Sequence, residues 1–197
     1  MKRRRLEQLA ASWRGCTDCA LSSGRTNVVF YRGDPDARIV VIGEAPGHDE
    51  DTRGLPFVGR AGRALDGLLR GAGLDPRSDV FIMNMVGCRP PGNRVPKREE
   101  LSACRPRTEY MIKMVDPAIL LLLGTTAAKL AAITSIGPWR GTPVEVELPT
   151  KTYKAIPTYH PSFLLRQGNS PKLQRKIISD IKVARALARG KDRNHEE

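Results

Sequence analysis

The chain has 197 residues, of which 40% are hydrophobic, which is enough for one domain with a sizeable buried core. Its formal net charge of +12 favours a polyanionic partner, most often a nucleic acid, over the alternative of a basic protein without such a partner. It contains no run of 18 apolar residues, so we expect no membrane span. The basic start at residues 1–5 lacks the apolar stretch of a signal peptide, and we expect a cytoplasmic, nucleoid-associated protein.

Apolar runs typical of buried strands alternate along the chain with amphipathic patterns that predict helices. In chain order, the patterns predict a helix over 1–15, a loop or short hairpin over 20–37, a strand over 38–42, a helix over 61–72, a strand over 80–83, a helix from 97 to about 115, a strand over 118–123, a helix over 126–133, half-exposed strands over 144–148 and 153–158, and a basic helix over 171–188. This alternation predicts an α/β fold with a central, mostly parallel sheet and helices on both faces. We expect residues 1–189 to form a single domain and residues 190–197 to form a charged, disordered tail.

Polar residues follow three of the predicted strands. Glu44 comes after the first buried strand in a turn with Pro46 and Gly47, Asn84 ends the second, and His160 follows the strand over 153–158. Each has a plain structural alternative: a solvated acid, a strand-capping amide or a hydrogen-bonded histidine. Because parallel strands share one rim of a sheet, the sequence predicts that the three side chains meet there and form a site.

The chain has four cysteines, at positions 16, 19, 88 and 104. In a reducing compartment a Cys-x-x-Cys pair with two widely spaced cysteines indicates metal or redox chemistry, whereas in a secreted protein two disulfides would be expected. Structural zinc sites more often use two tight pairs. Iron–sulfur clusters accept more varied spacing, so the pattern favours a [4Fe–4S] cluster over zinc.

These motifs resemble the family 4 uracil-DNA glycosylases, the iron–sulfur branch of the uracil-DNA glycosylase superfamily. The similarity covers roughly residues 13–185, with the motifs in the family's order. The matching segments are Cys16-x-x-Cys19, 43–47 (Gly-Glu-Ala-Pro-Gly), 56–62 (Pro-Phe-Val-Gly-Arg-Ala-Gly), Asn84, 88–94 (Cys-Arg-Pro-Pro-Gly-Asn-Arg), 103–106 (Ala-Cys-Arg-Pro), Leu123-Gly124 and 159–162 (Tyr-His-Pro-Ser).

The resemblance implies a three-layer α/β/α sandwich with a four-stranded, largely parallel sheet. It also implies that the chain flips uracil out of single- or double-stranded DNA and hydrolyses the N-glycosidic bond, which leaves an abasic site in base-excision repair. We expect the protein to act as a monomer. The alternative is a non-catalytic iron–sulfur nucleic-acid-binding or polymerase accessory domain, which would share the cysteines and the basic surface but would not need Glu44, Asn84 and His160 on one rim.

The resemblance also assigns roles to individual residues. Gly43, Glu44 and Ala45 would border the uracil pocket, with Glu44 as the nearest candidate for handling the water. Phe57 would stack on the flipped base, Asn84 would bind its edge, and His160 would donate to O2 of the departing uracil. The remaining expected residues are the cluster ligands Cys16, Cys19, Cys88 and Cys104 and the DNA contacts Arg89, Arg94, Ser162, Leu164 and Arg166. The last three belong to the segment 161–166, which resembles the loop that enters the DNA where the base has left.

The chain departs from related patterns at three positions. The best-known branch of the superfamily has Asp at the position of Ala45, and that carboxylate positions the water. The same branch has Tyr at the position of Gly47, so thymine must be excluded by another group. Gly87 stands where a lysine often precedes the third cysteine. The basic, His-containing insertion of a covalent-trapping branch is absent between Cys88 and Cys104, so we expect no stable protein–DNA adduct.

Overall fold

A mixed sheet of six strands forms the centre of the computed structural model, which describes residues 2–190. The strands lie in the order β1-β3-β2-β4-β6-β5 across the sheet. Their bounds are β1 Tyr31–Gly33, β2 Ile39–Gly43, β3 Val80–Asn84, β4 Ile119–Leu123, β5 Val144–Leu148 and β6 Lys151–Thr158.

The four central strands, β3, β2, β4 and β6, are mutually parallel. Every residue of β2, β3 and β4 is buried, because helices cover both faces of the sheet. This explains why these strands are continuous apolar runs without polar alternation. Their carboxyl ends lie at one rim, where Gly43 pairs in register with Asn84 and Leu123 with Thr158.

Seven α-helices accompany the sheet between residues 2 and 190. Their bounds are α1 Lys2–Trp13, α2 His48–Arg53, α3 Arg60–Gly71, α4 Arg98–Val115, α5 Gly124–Ala128, α6 Pro161–Arg166 and α7 Pro171–Gly190. One face of the sheet packs against α3 and α7 through residues such as Leu65, Leu68, Ile177 and Ile181. The other face packs against α1 and α4 through Leu6, Met111, Ile112 and Val115. The predicted α/β/α arrangement of layers is confirmed.

The expected number of four strands is wrong, because an antiparallel strand is added at each edge. β1 pairs with β3 and β5 pairs with β6, both in antiparallel register. The strand over 144–148 was expected from its alternating pattern, and it is half-exposed with only Val146 fully buried. β1 has three residues within the stretch predicted as a loop or short hairpin, too few to show a period.

Two helices differ slightly from the sequence-based expectation. The predicted helix over 126–133 is shorter, since α5 ends at Ala128 and a 3₁₀ turn follows over Lys129–Ala131. Gly190 ends α7, and the rest of the predicted tail, 191–197, lies outside the described residues. None of the helices between residues 2 and 190 is long and apolar enough to cross a bilayer.

Candidate active site

A cavity of about 340 Å³ lies at the rim where the parallel strands end, and we call it the strand-end cavity. Its volume is in the range typical of small-ligand sites. It is lined by Glu44, Ala45, Pro46, Gly47, Glu50, Phe57, Ala61, Asn84, Pro90, Asn93, Arg94, His160, Ser162 and Arg166. The three polar residues predicted to share a rim therefore meet in one cavity, as do the expected pocket residues Ala45 and Phe57.

Gly43 forms the floor beneath two of these side chains. A Cβ atom at this position would lie 2.3 Å from Cζ of Phe57 and 2.5 Å from Oδ1 of Asn84. Only glycine lets the Phe57 ring and the Asn84 amide approach the end of β2 this closely. Phe57 itself has a φ of +54°, which is unusual for a residue with a bulky side chain. The loop thus holds an aromatic ring beside the amide at the cost of local backbone strain.

Asn84 presents a buried acceptor that has no partner. The residue is 2% exposed, and its Oδ1 forms no hydrogen bond within the described part of the chain. An unsatisfied buried carbonyl costs roughly 1–3 kcal/mol, so native proteins rarely keep one without a use. Because Asn84 lines the strand-end cavity, a ligand N–H there would satisfy this oxygen.

His160 faces the same cavity as a neutral ring with a defined tautomer. Its Nδ1 accepts from the backbone N–H of Ser162 at 3.1 Å, so the proton of the neutral ring is on Nε2. Burial and then the charge of Arg166 lower the pKa of His160 to about 4. Ser162 Oγ lies 2.8 Å from the same Nδ1 and accepts from Arg166 at 3.1 Å, which fixes the ring further. The ring lies 5.7 Å from that of Phe57, measured between centroids.

Glu44 is held by a threonine that the sequence did not single out. The hydroxyl of Thr126 in α5 donates to Oε2 of Glu44. Thr126 is 2% exposed, so the contact is sheltered from water. One carboxylate oxygen of Glu44 is thereby committed to α5, while the residue as a whole still lines the cavity.

Glu50 is a second site residue that the sequence did not single out. Its carboxylate accepts from the backbone N–H groups of Gly47, Val58 and Gly59 at 3.1, 2.9 and 2.8 Å. It therefore ties the turn after β2 to the loop that carries Phe57. A sequence signal existed, because a Glu three residues after a helix N-cap commonly bonds back to the cap N–H, here that of Gly47.

The expected DNA contacts other than Leu164 fall into two groups. Arg94, Ser162 and Arg166 line the strand-end cavity, although Arg94 is also held by Glu100 through two hydrogen bonds of 2.8 and 2.6 Å. Arg89 lies outside the cavity lining, where it donates to Asn93 at 2.7 Å.

Leu164 requires a correction. It was expected in a loop that enters DNA, but it is 3% exposed and packs in the core on the α3 and α7 side of the sheet. The reason is that the segment forms the helix α6, which turns Leu164 inward while its neighbour Leu165 stays half-buried. Leu164 is therefore unavailable as a surface contact.

The cysteines come together from three parts of the chain. Cys16, Cys88 and Cys104 line a small cavity of about 80 Å³, the cysteine cavity, and Cys19 packs with Cys88 and Cys104 in one apolar cluster. All four are free thiols, and burial raises the pKa of Cys88 to about 11. Among residues 2–190, no group of three or more His, Cys, Asp or Glu side chains is placed to hold a single metal ion.

Comparison with known proteins identifies the class. The family model of the uracil DNA glycosylase superfamily matches residues 30–182, which contain the strand-end cavity. A type-4 uracil-DNA glycosylase of Thermotoga maritima is 45% identical over 178 residues, covering 87% of this chain and 88% of the relative. Those of Sulfurisphaera tokodaii and Archaeoglobus fulgidus are each 37% identical, covering 93% and 90% of this chain and 84% and 90% of their own lengths.

The chain therefore belongs to the type-4 uracil-DNA glycosylases within this superfamily.

Proposed function

We propose that this chain releases uracil from DNA by hydrolysing the N-glycosidic bond of a base flipped into the strand-end cavity. The observation that carries the proposal is the buried, unpartnered Oδ1 of Asn84 facing that cavity. The imide N3–H of uracil is a donor that would satisfy this oxygen, and the amide group of the same side chain can donate to O4. An accessory module that only binds nucleic acid would have no use for such an acceptor.

The neighbouring residues complete the base site. The ring of Phe57, supported on Gly43, offers a flat apolar face on which a pyrimidine stacks. Ala45 and Gly47 line the wall of the cavity, where a methyl group and a hydrogen atom leave room for the base. The strained loop around Phe57 stays in place because Glu50 accepts from the backbone N–H groups of Val58 and Gly59, directly after Phe57.

His160 supplies the catalytic donor. As the glycosidic bond breaks, negative charge spreads onto the departing base, and the proton on Nε2 of neutral His160 can donate to O2 at that moment. A fixed donor of this kind is worth on the order of 3 kcal/mol in the barrier. The sugar becomes oxocarbenium-like, and water adds to it. Glu44, with one oxygen held by Thr126, is the carboxylate nearest to this role.

The four cysteines would hold a [4Fe–4S] cluster. They are free, mutually close and beside two guanidinium groups, since Arg25 lies 3.5 Å from the sulfur of Cys88 and Arg107 lines the cysteine cavity. Such a cluster is a larger body than one ion, and it needs the four thiolates arranged around it. When bound, it supplies a covalent tie between the segment after α1, the loop after β3 and α4, which stabilises the fold.

The partner is uracil-containing DNA, and the protein acts on it as a monomer in the nucleoid. The net charge of +12 supports binding to phosphates. Arg166 at the cavity rim is well placed to bind a phosphate beside the flipped nucleotide, because it is exposed and, within residues 2–190, its side chain donates a hydrogen bond to Ser162 alone. Arg89 and Arg94 would contact the flanking backbone.

Release of free uracil from a labelled oligonucleotide tests the proposal. The wild type should leave an abasic site at uracil, whereas Asn84→Ala and His160→Ala should each lower the single-turnover rate by about a hundredfold or more. Gln167→Ala is the matched control, since this exposed amide lies outside the cavity. Full activity in both site variants would remove the strand-end cavity from the reaction.

A further inference from the structure

One arginine is buried between the cysteines and Asn84. Arg107, on α4, is 6% exposed. Its Nη2 donates to the backbone carbonyl of Asn84 at 2.9 Å, and its Nη1 donates to the carbonyl of Val29 at 3.1 Å. A buried guanidinium destabilises the fold unless negative charge lies close to it, so the surroundings of Arg107 should contain an anionic partner.

The groups that can supply this charge are cysteines. Arg107 lines the cysteine cavity together with Cys16, Cys88 and Cys104. The Nε of Arg107 has no hydrogen-bond partner among residues 2–190, so one donor remains for a further acceptor.

Gly87 leaves the space that the guanidinium occupies. A Cβ atom at this position would lie 2.7 Å from Nη1 of Arg107 and 3.2 Å from Cγ1 of Val28. The first contact is too short to form unless the buried guanidinium moves. The absence of a side chain next to Cys88 is therefore matched to the position of Arg107.

We propose that Arg107 is a positioning residue that couples the cysteine site to the uracil-binding residue Asn84. Its guanidinium offsets the negative charge of the metal-binding thiolates and at the same time holds the Asn84 carbonyl. Because Asn84 is the last residue of β3, fixing its carbonyl fixes the direction in which its amide enters the strand-end cavity. Loss of the thiolate charge leaves Arg107 uncompensated, and Asn84 then loses its support. The inference rests on the function proposed above.

A double-mutant cycle tests the link to Asn84. Arg107→Gln removes the charge, and Arg107→Lys keeps it without the two-pronged donor geometry. Arg107→Gln should lower the single-turnover rate of uracil release by about tenfold, with a smaller loss for Arg107→Lys. The tenfold loss should vanish in an Asn84→Ala background but persist in a His160→Ala background, because Arg107 contacts Asn84 and not His160. Equal losses in both backgrounds would overturn the coupling.

The link to the cysteines has its own readout, which does not depend on activity. Loss of iron to a ferrous chelator is followed by the fall in cluster absorbance near 400 nm. Arg107→Gln should lose iron several-fold faster than wild type and Arg107→Lys. Equal release rates would overturn the charge-compensating role. If Arg107→Gln does not fold, Gly87→Ala displaces the guanidinium and enters the same cycle. A wild type that binds iron but releases no uracil would refute the proposed function, and the iron measurement would still decide this half of the inference.

Discussion

The protonation state of His160 can be tested through the pH dependence of uracil release. Burial, followed by the charge of Arg166, lowers the pKa of His160 to about 4. At pH 7 roughly one ring in a thousand is then protonated, whereas a pKa of about 6.5 would give roughly one in four. Protonation would place two donors face to face, since Nδ1 accepts from Ser162 N–H in the neutral form. The single-turnover rate should therefore stay level from about pH 8 to about pH 5 and fall toward pH 4.

Two variants show whether His160 is the group observed. Arg166→Ala removes the second cause of the shift and the contact with Ser162, so the midpoint of the acid limb should move upward. Arg166→Lys keeps the charge and serves as the control, with the midpoint near that of wild type. His160→Ala should lower the rate by about a hundredfold above pH 5. A wild-type midpoint near 6.5, or a midpoint that does not move in Arg166→Ala, would refute the neutral donor.

Three further outcomes are expected. Asn84→Asp should cut uracil release and permit weak cytosine release, because a carboxylate repels O4 of uracil but accepts from N4 of cytosine; unchanged base preference in an oligonucleotide assay would contradict this. Protein purified anaerobically should be brown with about four irons per chain, and one zinc with no absorbance near 400 nm would contradict the cluster. Cys88→Ala should cost the fold more free energy, seen as a lower melting temperature, than it adds to the barrier for uracil release. Binding to undamaged duplex should weaken steeply as salt rises in a fluorescence titration, and an affinity independent of salt would exclude a phosphate-binding surface.

The central layers and the meeting of three polar residues could be predicted from the sequence. Buried apolar runs predict β2, β3 and β4, and the carboxyl ends of parallel strands lie at the same rim of a sheet. Glu44, Asn84 and His160 follow such strands, so their convergence needs no knowledge of the loops. The positions of Phe57 and Ala45 at the cavity are also those expected from the resemblance.

Other features depend on contacts that no local pattern contains. Arg107 lies in a helix that looks ordinary in the sequence, and its burial becomes visible only when α4 packs beside the end of β3. Thr126 reaches Glu44 from 82 positions away in the chain. Leu164 was misplaced because a surface loop was expected where the chain forms α6, whose inner face is set by packing against the core. Long-range packing decided each of these cases.

The most direct test of the central claim compares excision of uracil and of N3-methyluracil from the same position in one oligonucleotide. The methyl group takes the place of N3–H, the donor that would satisfy the buried, unpartnered Oδ1 of Asn84. The wild type should release uracil and leave the methylated base in place, with the single-turnover rate lower by at least about a hundredfold. Equal release of the two bases would show that Asn84 does not bind the uracil edge and would contradict the account of this cavity.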